Sequence, residues 1–475
     1  MTQKRLSRRD FLKMSAFTVG GAATTLVGVP FLFKEEAVFD PNDSYWAEAK
    51  PKANSPLAEN LQVDVAIIGG GYTGLATAYH LAKMNPNLKI IILEAKSVGH
   101  GASGRNGGMV LPQTGPETMQ IDYDEETHKW TYDLTVKSMK ELARLVEKSG
   151  MDCDLKLDGY IYAILKEEDL PYYQSYVAKA RKMGIPLRYL NQAECTRELG
   201  TDIYVGAVYD PNGGSVHAMK LIRILKKEVE ELGVVIYENS QVFEIEEGEN
   251  VELVVGDSQF QVLAKDIVLA MNAYTSKLGY FKYELIPVHT QIAATAPLSK
   301  KQLTEIHWDS RLPFYDSRNF LYHLVLTPDN RILIGGGFAD YYFNNELEFK
   351  GDMSAISDRM RKELGRIYPV LKNITFEYIW DGILGVTYDE YESVGVMGDY
   401  KNIYYALAYN GHGVNLSFMF GGVIANMLNG HGHGWQYTSY ADYPLRKIVP
   451  PEPLKWLGAK GFLGYYQWLD GSSLS

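Results

Sequence analysis

Residues 63–95 read VDVAIIGGGYTGLATAYHLAKMNPNLKIIILEA. Val63–Ile68 is a short apolar, β-branched run, which predicts a buried strand. Gly69, Gly71 and Gly74 follow, and then Leu75, Ala78, Tyr79, Leu81 and Ala82 recur on one side of a helix. Asn85-Pro86-Asn87 stops that helix, and Lys89–Leu93 is the next strand, closing at Glu94. Each glycine has a physical task in such a unit. Gly69 allows the tight turn, Gly71 lets the backbone approach a pyrophosphate, and Gly74 lets helix and strand pack closely. The unpaired N–H groups at the helix start then face phosphate. Glu94, at the tip of the second strand, accepts hydrogen bonds from ribose hydroxyls. The unit predicts a Rossmann-type dinucleotide site.

Just beyond it, residues 99–108 read GHGASGRNGG. A loop of small residues here can lie against a flavin and its pyrophosphate without side-chain clashes. Ser103, Arg105, Asn106, Gly107 and Gly108 are its candidate cofactor contacts. An NAD-binding Rossmann unit has no need of a second glycine-rich loop at this place. The dinucleotide is therefore read as FAD.

With these two loops go Asp210-Pro211 and Gly213-Gly214 before a helix at 217–233, IVLAMNAYT at 267–275, TPDNRILIGGG at 327–337 and YNGHGVNLSFMFGGVIA at 409–425. In this order and spacing the chain resembles the D-amino-acid-oxidase-like superfamily of FAD-dependent oxidoreductases, most nearly its gamma-glutamylputrescine-oxidase-like branch. The likeness runs from about Val63 to about Gly432. It implies a fold of α/β plus α+β class, a Rossmann-type FAD-binding domain interrupted by a mixed-sheet substrate domain. The FAD-binding domain is expected at 61–150, 215–280 and 376–446, and the substrate domain at 151–214 and 281–375. Val242 is expected against the adenine side of FAD. The turn Gly411-His412-Gly413-Val414 is expected to face the flavin's pyrimidine edge, where backbone N–H groups and a helix dipole stabilise the charge of the reduced ring. His412 either adds a donor or positive charge there or bonds only to backbone. In related dimethylglycine and sarcosine dehydrogenases a histidine of the second loop carries the flavin. Here Arg105 stands at that place, with His100 earlier, and Cys153 and Cys195 lie far from the C-terminal half. The resemblance thus implies non-covalent FAD, with Arg105 on phosphate, on a substrate anion or in a surface salt bridge.

Relatives that oxidise amino acids hold the α-carboxylate with an Arg fork or a Lys. Val325 and Asn415 stand where those clamps are expected, which shifts weight towards amines without an α-carboxylate. Arg318 is a clamp from another direction. Tyr322, Tyr341 and Tyr342 fall in segments expected to roof the flavin, as cation–π walls or as ordinary core, and His323 is a candidate base. The chemistry implied is hydride transfer from the carbon beside a neutral amine nitrogen to flavin N5, giving an imine that hydrolyses. The electron acceptor is then oxygen or a quinone-type carrier. The competing readings are an amino-acid or N-methyl-glycine enzyme and a non-catalytic flavin-binding envelope protein.

The chain has 475 residues, enough for two cores, and its 46% hydrophobic and 22% charged residues are those of a globular protein. Two cysteines exclude a disulfide scaffold and a Cys-rich metal site, so no metal is expected. The formal net charge is −11, and residues 1–33 contribute five basic side chains against one acid. So acidic a body repels phosphate backbones, which disfavours nucleic acid as a partner. At the N-terminus, Arg8-Arg9 with Phe11-Leu12-Lys13 and the apolar run Met14–Phe33 resemble a twin-arginine signal, removed or kept as an anchor. The expected location is periplasmic or at the outer face of the cytoplasmic membrane. Residues 34–60 read as a linker. Residues 447–475 read as an amphipathic tail with Leu454, Leu457, Gly461, Tyr465, Trp468 and Leu469 on one face. That tail either meets a membrane surface or packs on the body.

Overall fold

A computed structural model describes residues 39–112, 125–387, 391–430 and 449–472. The expected export signal lies outside them. Phe39–Ser475 forms one compact unit, built on two eight-stranded sheets.

The first sheet runs Ser393–Met397, Ile403–Leu407, Phe260–Leu269, Leu61–Ile68, Ile90–Leu93, Val235–Tyr237. Leu61–Ile68 lies parallel to both neighbours, with Val65 opposite Ile90 and Asp266. Its unbroken apolar run has a direct cause. Val65 and Ile67 pack into the core on one face, while Ala66 and Ile68 pack into the core on the other. A strand covered on both faces has no use for alternation. The hairpin strands Val242–Glu246 and Val251–Val255 extend this sheet from Phe260–Leu269. On the opposite face, helix Tyr72–Met84 is sandwiched between the sheet and helix Gly413–Leu428. Gly421 marks the helix crossing, where a Cβ would lie 2.5 Å from that of Ala76.

The second sheet runs Phe376–Val386, Ile286–Thr295, Ile332–Gly336, Tyr322–Leu326, Phe314–Asp316, Tyr160–Ile164, Gly206–Asp210, Arg188–Asn191. The chain therefore leaves the nucleotide sheet twice, as expected, but returns later the second time. Phe376–Val386, assigned by sequence to the FAD-binding domain, pairs antiparallel with Ile286–Thr295 from Ile286–Val386 to Thr295–Phe376. The nucleotide sheet resumes only at Ser393.

The expected linker at 34–60 is also corrected. Within it, Trp46 is 2% exposed and donates from its indole N–H to the Asn106 carbonyl at 2.7 Å. Ser44 Oγ donates to the Gly104 carbonyl at 3.0 Å, and Leu57 joins the core beneath the nucleotide sheet. Over residues 39–60 this Pro-, Asn- and Glu-containing stretch is packed on the body and is not a free tether.

Candidate functional site

The site begins at the first glycine turn. Gly69 takes φ +110, a conformation that L side chains rarely adopt, and so turns the chain out of the strand. Gly74 is fixed by close approach, since a Cβ there would stand 2.0 Å from the Gly69 carbonyl oxygen. Helix Tyr72–Met84 starts at Gly71 with no side-chain cap. Ser103 Oγ accepts from the Tyr72 N–H at 3.0 Å, which ties the second loop to that helix start. The Glu94 carboxylate accepts from the Gly70 N–H at 2.8 Å and the Lys96 N–H at 2.9 Å. Burial pushes its pKa up, against those two hydrogen bonds.

The second loop folds around Asn106. Its side chain donates to the Ser103 carbonyl at 2.8 Å and accepts from the Gly108 N–H at 2.9 Å. Two tryptophans hold the loop from outside, Trp46 on the Asn106 carbonyl and Trp380 on the Arg105 carbonyl at 2.8 Å. Neither was legible as a site residue, because their partners are backbone groups far away in sequence. Arg105 lines the cavity, but its guanidinium is taken up by the carbonyls of His100, Pro41 and Asp381 and the Asn42 side chain. It pins loop to strand, and the expected phosphate or substrate contact is replaced by these carbonyls.

Beyond the loop lies a cavity of ≈ 580 Å³. Strand parity decides what reaches it. On Ile286–Thr295, Val288, Thr290 and Ile292 face the cavity, while His289 and Gln291 lie behind with Asp381. His289 Nδ1 is 2.7 Å from Asp381 Oδ2, and Gln291 donates to Asp381 Oδ1 at 3.0 Å. Burial works against a charged His289, yet the Asp381 carboxylate and the Glu346 carbonyl prevail and raise its pKa. On Tyr322–Leu326 the same alternation brings His323 to the cavity and turns Tyr322 into the core of the second sheet, with the Arg318 guanidinium 4.5 Å from its ring centre. Of the alternatives for Tyr322, the core reading holds, and its role at the flavin, as cation–π wall or catalytic group, is withdrawn. Arg318 is withdrawn as a clamp too, since Asp316 and Glu363 both pair with it. Tyr341 lines the cavity, whereas the Tyr342 ring packs tilted against His289, centres 4.5 Å apart.

His323 is wedged between glycines. A Cβ at either Gly107 or Gly335 would come within 2.3 Å of its ring. Burial pushes its pKa down to about 4, so the imidazole is neutral. Its Nε2 is buried without a hydrogen-bond partner among the described residues. His412 caps helix Gly413–Leu428 without a side-chain bond, lines the cavity with Gly411 and Val414, and leaves Nδ1 buried and unpartnered. Burial lowers its pKa as well, with the Asn410 backbone opposing. Burial thereby disfavours the positive charge, and the donor role and the backbone-only role both fit this position. Val242 sits in its strand, packed into the core beside the Glu94 strand, and Gly108 packs on Trp46.

These elements match one family. The model of the DAO family, FAD dependent oxidoreductase, matches residues 64–427. The chain belongs to that family. FAD is its cofactor. Among relatives, the probable oxidoreductase OrdL of Haemophilus influenzae is 29% identical over 427 residues, covering 87% of this chain and 94% of its own. The gamma-glutamylputrescine oxidoreductase of Escherichia coli is 28% identical over 410 residues, covering 84% and 92%. The solved glycine oxidase of Geobacillus kaustophilus shares the fold with a TM-score of 0.68 at 21% identity, covering 82% of this chain and 100% of its own.

The residues present fit FAD. Two helix starts whose N-cap residues, Gly71 and His412, make no side-chain cap leave N–H groups there for a ligand, although Ser103 takes that of Tyr72. The cofactor contacts expected at Gly69, Gly71, Gly74, Glu94 and Ser103 gather at one end of the second loop, and Asn106 and Gly107 lie on the cavity wall with Gly411 and Val414. Cys153 and Cys195 are buried away from the cavity, and burial lifts both thiols to about 12. No cluster among the described residues could hold a metal ion.

The far wall was read as the tail. Helix Leu454–Ser472 covers the cavity with Leu454, Lys455, Ala459, Phe462 and Leu463. Asp470 accepts from the Asn319 and Phe320 N–H groups at 3.0 and 2.8 Å and fastens its end. Packing on the body is thus realised, with Leu457, Tyr465 and Trp468 still exposed on the outer side.

Proposed function

We propose that this FAD-dependent enzyme oxidises the C–N bond of an amine, releasing an imine that water hydrolyses. Bound FAD supplies the two-electron acceptor. The observation that carries the reading is the cavity wall, which contains no aspartate or glutamate among the described residues. A wall without carboxylates favours a neutral amine, the form whose carbon can release hydride, over an ammonium ion. Tyr315, Phe320, Phe338 and Tyr341 exclude water from it. In this reading His412 and the N–H groups of its helix stabilise negative charge and neutral His323 is the candidate base, roles supported by the buried, unpartnered His412 Nδ1 and His323 Nε2. Neither position expected for an α-carboxylate clamp is available. Val325 is spent in the core, and the Asn415 amide donates to the Leu111 and Thr135 carbonyls. The cofactor is held without a covalent bond, and oxygen or a quinone-type carrier completes the cycle.

Anaerobic titration of the flavin absorbance with amines and amino acids tests this. Bleaching by amines is expected, and bleaching by α-amino acids alone would reverse the assignment. Export by the twin-arginine route, and membrane contact through Leu457, Tyr465 and Trp468, complete the proposal. No helix of the described residues is long and apolar enough to cross a membrane. Cell fractionation of the full chain, with and without Tyr465→Gln and Trp468→Gln, checks both. Cytoplasmic recovery ends the first idea, and unaltered partitioning of the double variant ends the second.

A further inference from the structure

Lys455 is 5% exposed and lies on the cavity wall. Its ammonium donates to the Asn345 side-chain oxygen at 2.6 Å and the Leu285 carbonyl at 3.2 Å. It also stands 5.3 Å from the centre of the Tyr341 ring. An ammonium has three donors, and these oxygens occupy two. Neither carries a charge. The nearest acid in sequence, Glu452, makes no ion pair with it: its carboxylate accepts from the Tyr341 hydroxyl and the Asn344 and Trp456 N–H groups and acts on Lys455 only through space. Lys455 makes no ion pair among the described residues. The two other cations near it in space or role are consumed: Lys460 by Asp340, and Arg105 by backbone carbonyls.

A buried cation with no paired counter-ion is costly, and burial pushes Lys455 down to about 8 against the opposing charge of Glu452. The cost is offset when an anion enters a cavity whose described lining offers no carboxylate. From this geometry we infer that Lys455 is a specificity-determining residue that binds a carboxylate carried by the amine substrate. The inference rests on the amine reading above and names its substrate class, an amine that also bears an acid. Positions 325 and 415, where an α-carboxylate clamp is expected, take no part in it. The anion contact comes instead from the C-terminal helix, an element outside the span matched by the family model.

The experiment compares matched pairs of amines in anaerobic flavin reduction, 4-aminobutyrate with butylamine and 6-aminohexanoate with hexylamine. The wild-type protein is expected to prefer the acid of at least one pair at least about tenfold, as one charge-assisted hydrogen bond allows. In Lys455→Met that preference collapses towards unity, and in Lys455→Arg it is retained. Lys455→Gln, which keeps a donor without the charge, covers the case in which the methionine variant does not fold. A second readout needs no turnover: perturbation of the flavin spectrum by glutarate, an unreactive dicarboxylate. Glutarate binding that weakens at least about tenfold in Lys455→Gln supports the inference even if no amine bleaches the flavin, which would sink the amine reading alone. Equal losses for both members of each pair, or glutarate binding indifferent to Lys455, would overturn it.

Discussion

Replacing Gly74 by alanine sets the helix of the nucleotide turn against its own strand. The added Cβ would lie 2.0 Å from the Gly69 carbonyl oxygen, whereas ordinary contact begins at 3.4 Å. The shortfall of about 1.4 Å cannot be relieved by a rotamer, because the obstacle is backbone. Nor can Gly69 yield, since its N–H donates to the Leu93 carbonyl at 2.9 Å and its φ is +110. The helix start must therefore move away from Ser103 and Glu94, the groups that meet it now. Overpacking of this kind costs about 1–3 kcal/mol, and rigid backbone on both sides places Gly74→Ala at the upper end. A loss of about 3 kcal/mol in cofactor binding is roughly a hundredfold in affinity. Flavin-to-protein absorbance ratio after gel filtration, and thermal unfolding with and without added FAD, measure it. Gly464→Ala is the control, because no atom lies within 4 Å of a Cβ there and alanine improves a helix by about 1 kcal/mol. Full FAD occupancy and an unshifted melting curve in Gly74→Ala would refute the close-packing account of this turn.

His412→Ala is expected to slow anaerobic flavin reduction about a hundredfold while FAD is retained, if the ring donates towards developing charge; an unchanged rate and midpoint potential would reduce it to a turn residue. His289 gives a pH signature. Its pKa is raised by Asp381, so its contribution to stability is full below the unfolded value of about 6.5 and is lost as pH rises through the raised value. In Asp381→Asn burial acts with much less opposition, the pKa drops, and stability grows with pH below about 6.5 instead. Chemical denaturation of both proteins from pH 5.5 to 8 checks the reversal, and parallel curves would contradict it.

How much of this was legible in sequence follows from the range of the interactions concerned. The double-faced strand, its glycine turn and Glu94 lie within a few dozen residues, and their requirements are local: backbone conformation, close approach and an acid at a strand tip. The same holds for the Gly411–Val414 turn, whose helix start is written beside it. A DAO-type fold with FAD could be read from such pieces. Which of two adjacent residues faces the cavity was not legible, because a strand's parity has meaning only once its sheet is packed. Tyr322 and His323 are neighbours, yet one lies in a core and the other on the cavity wall.

Charge partners are likewise decided in three dimensions. Arg318 is a free cation in sequence and a neutralised one beside Glu363, 45 residues on. Trp46 looked like part of a tether until its indole found the Asn106 carbonyl 60 residues away. Lys455 is one of three lysines in residues 447–475, and only the docking of its helix makes it a buried cation in a cavity without acids among the described residues. The sequence by itself determined the cofactor's half of the site, because a dinucleotide is held by backbone shaped by nearby glycines. The substrate's half was decided by tertiary structure alone, because there side chains from distant segments meet, and burial sets which of their charges remain.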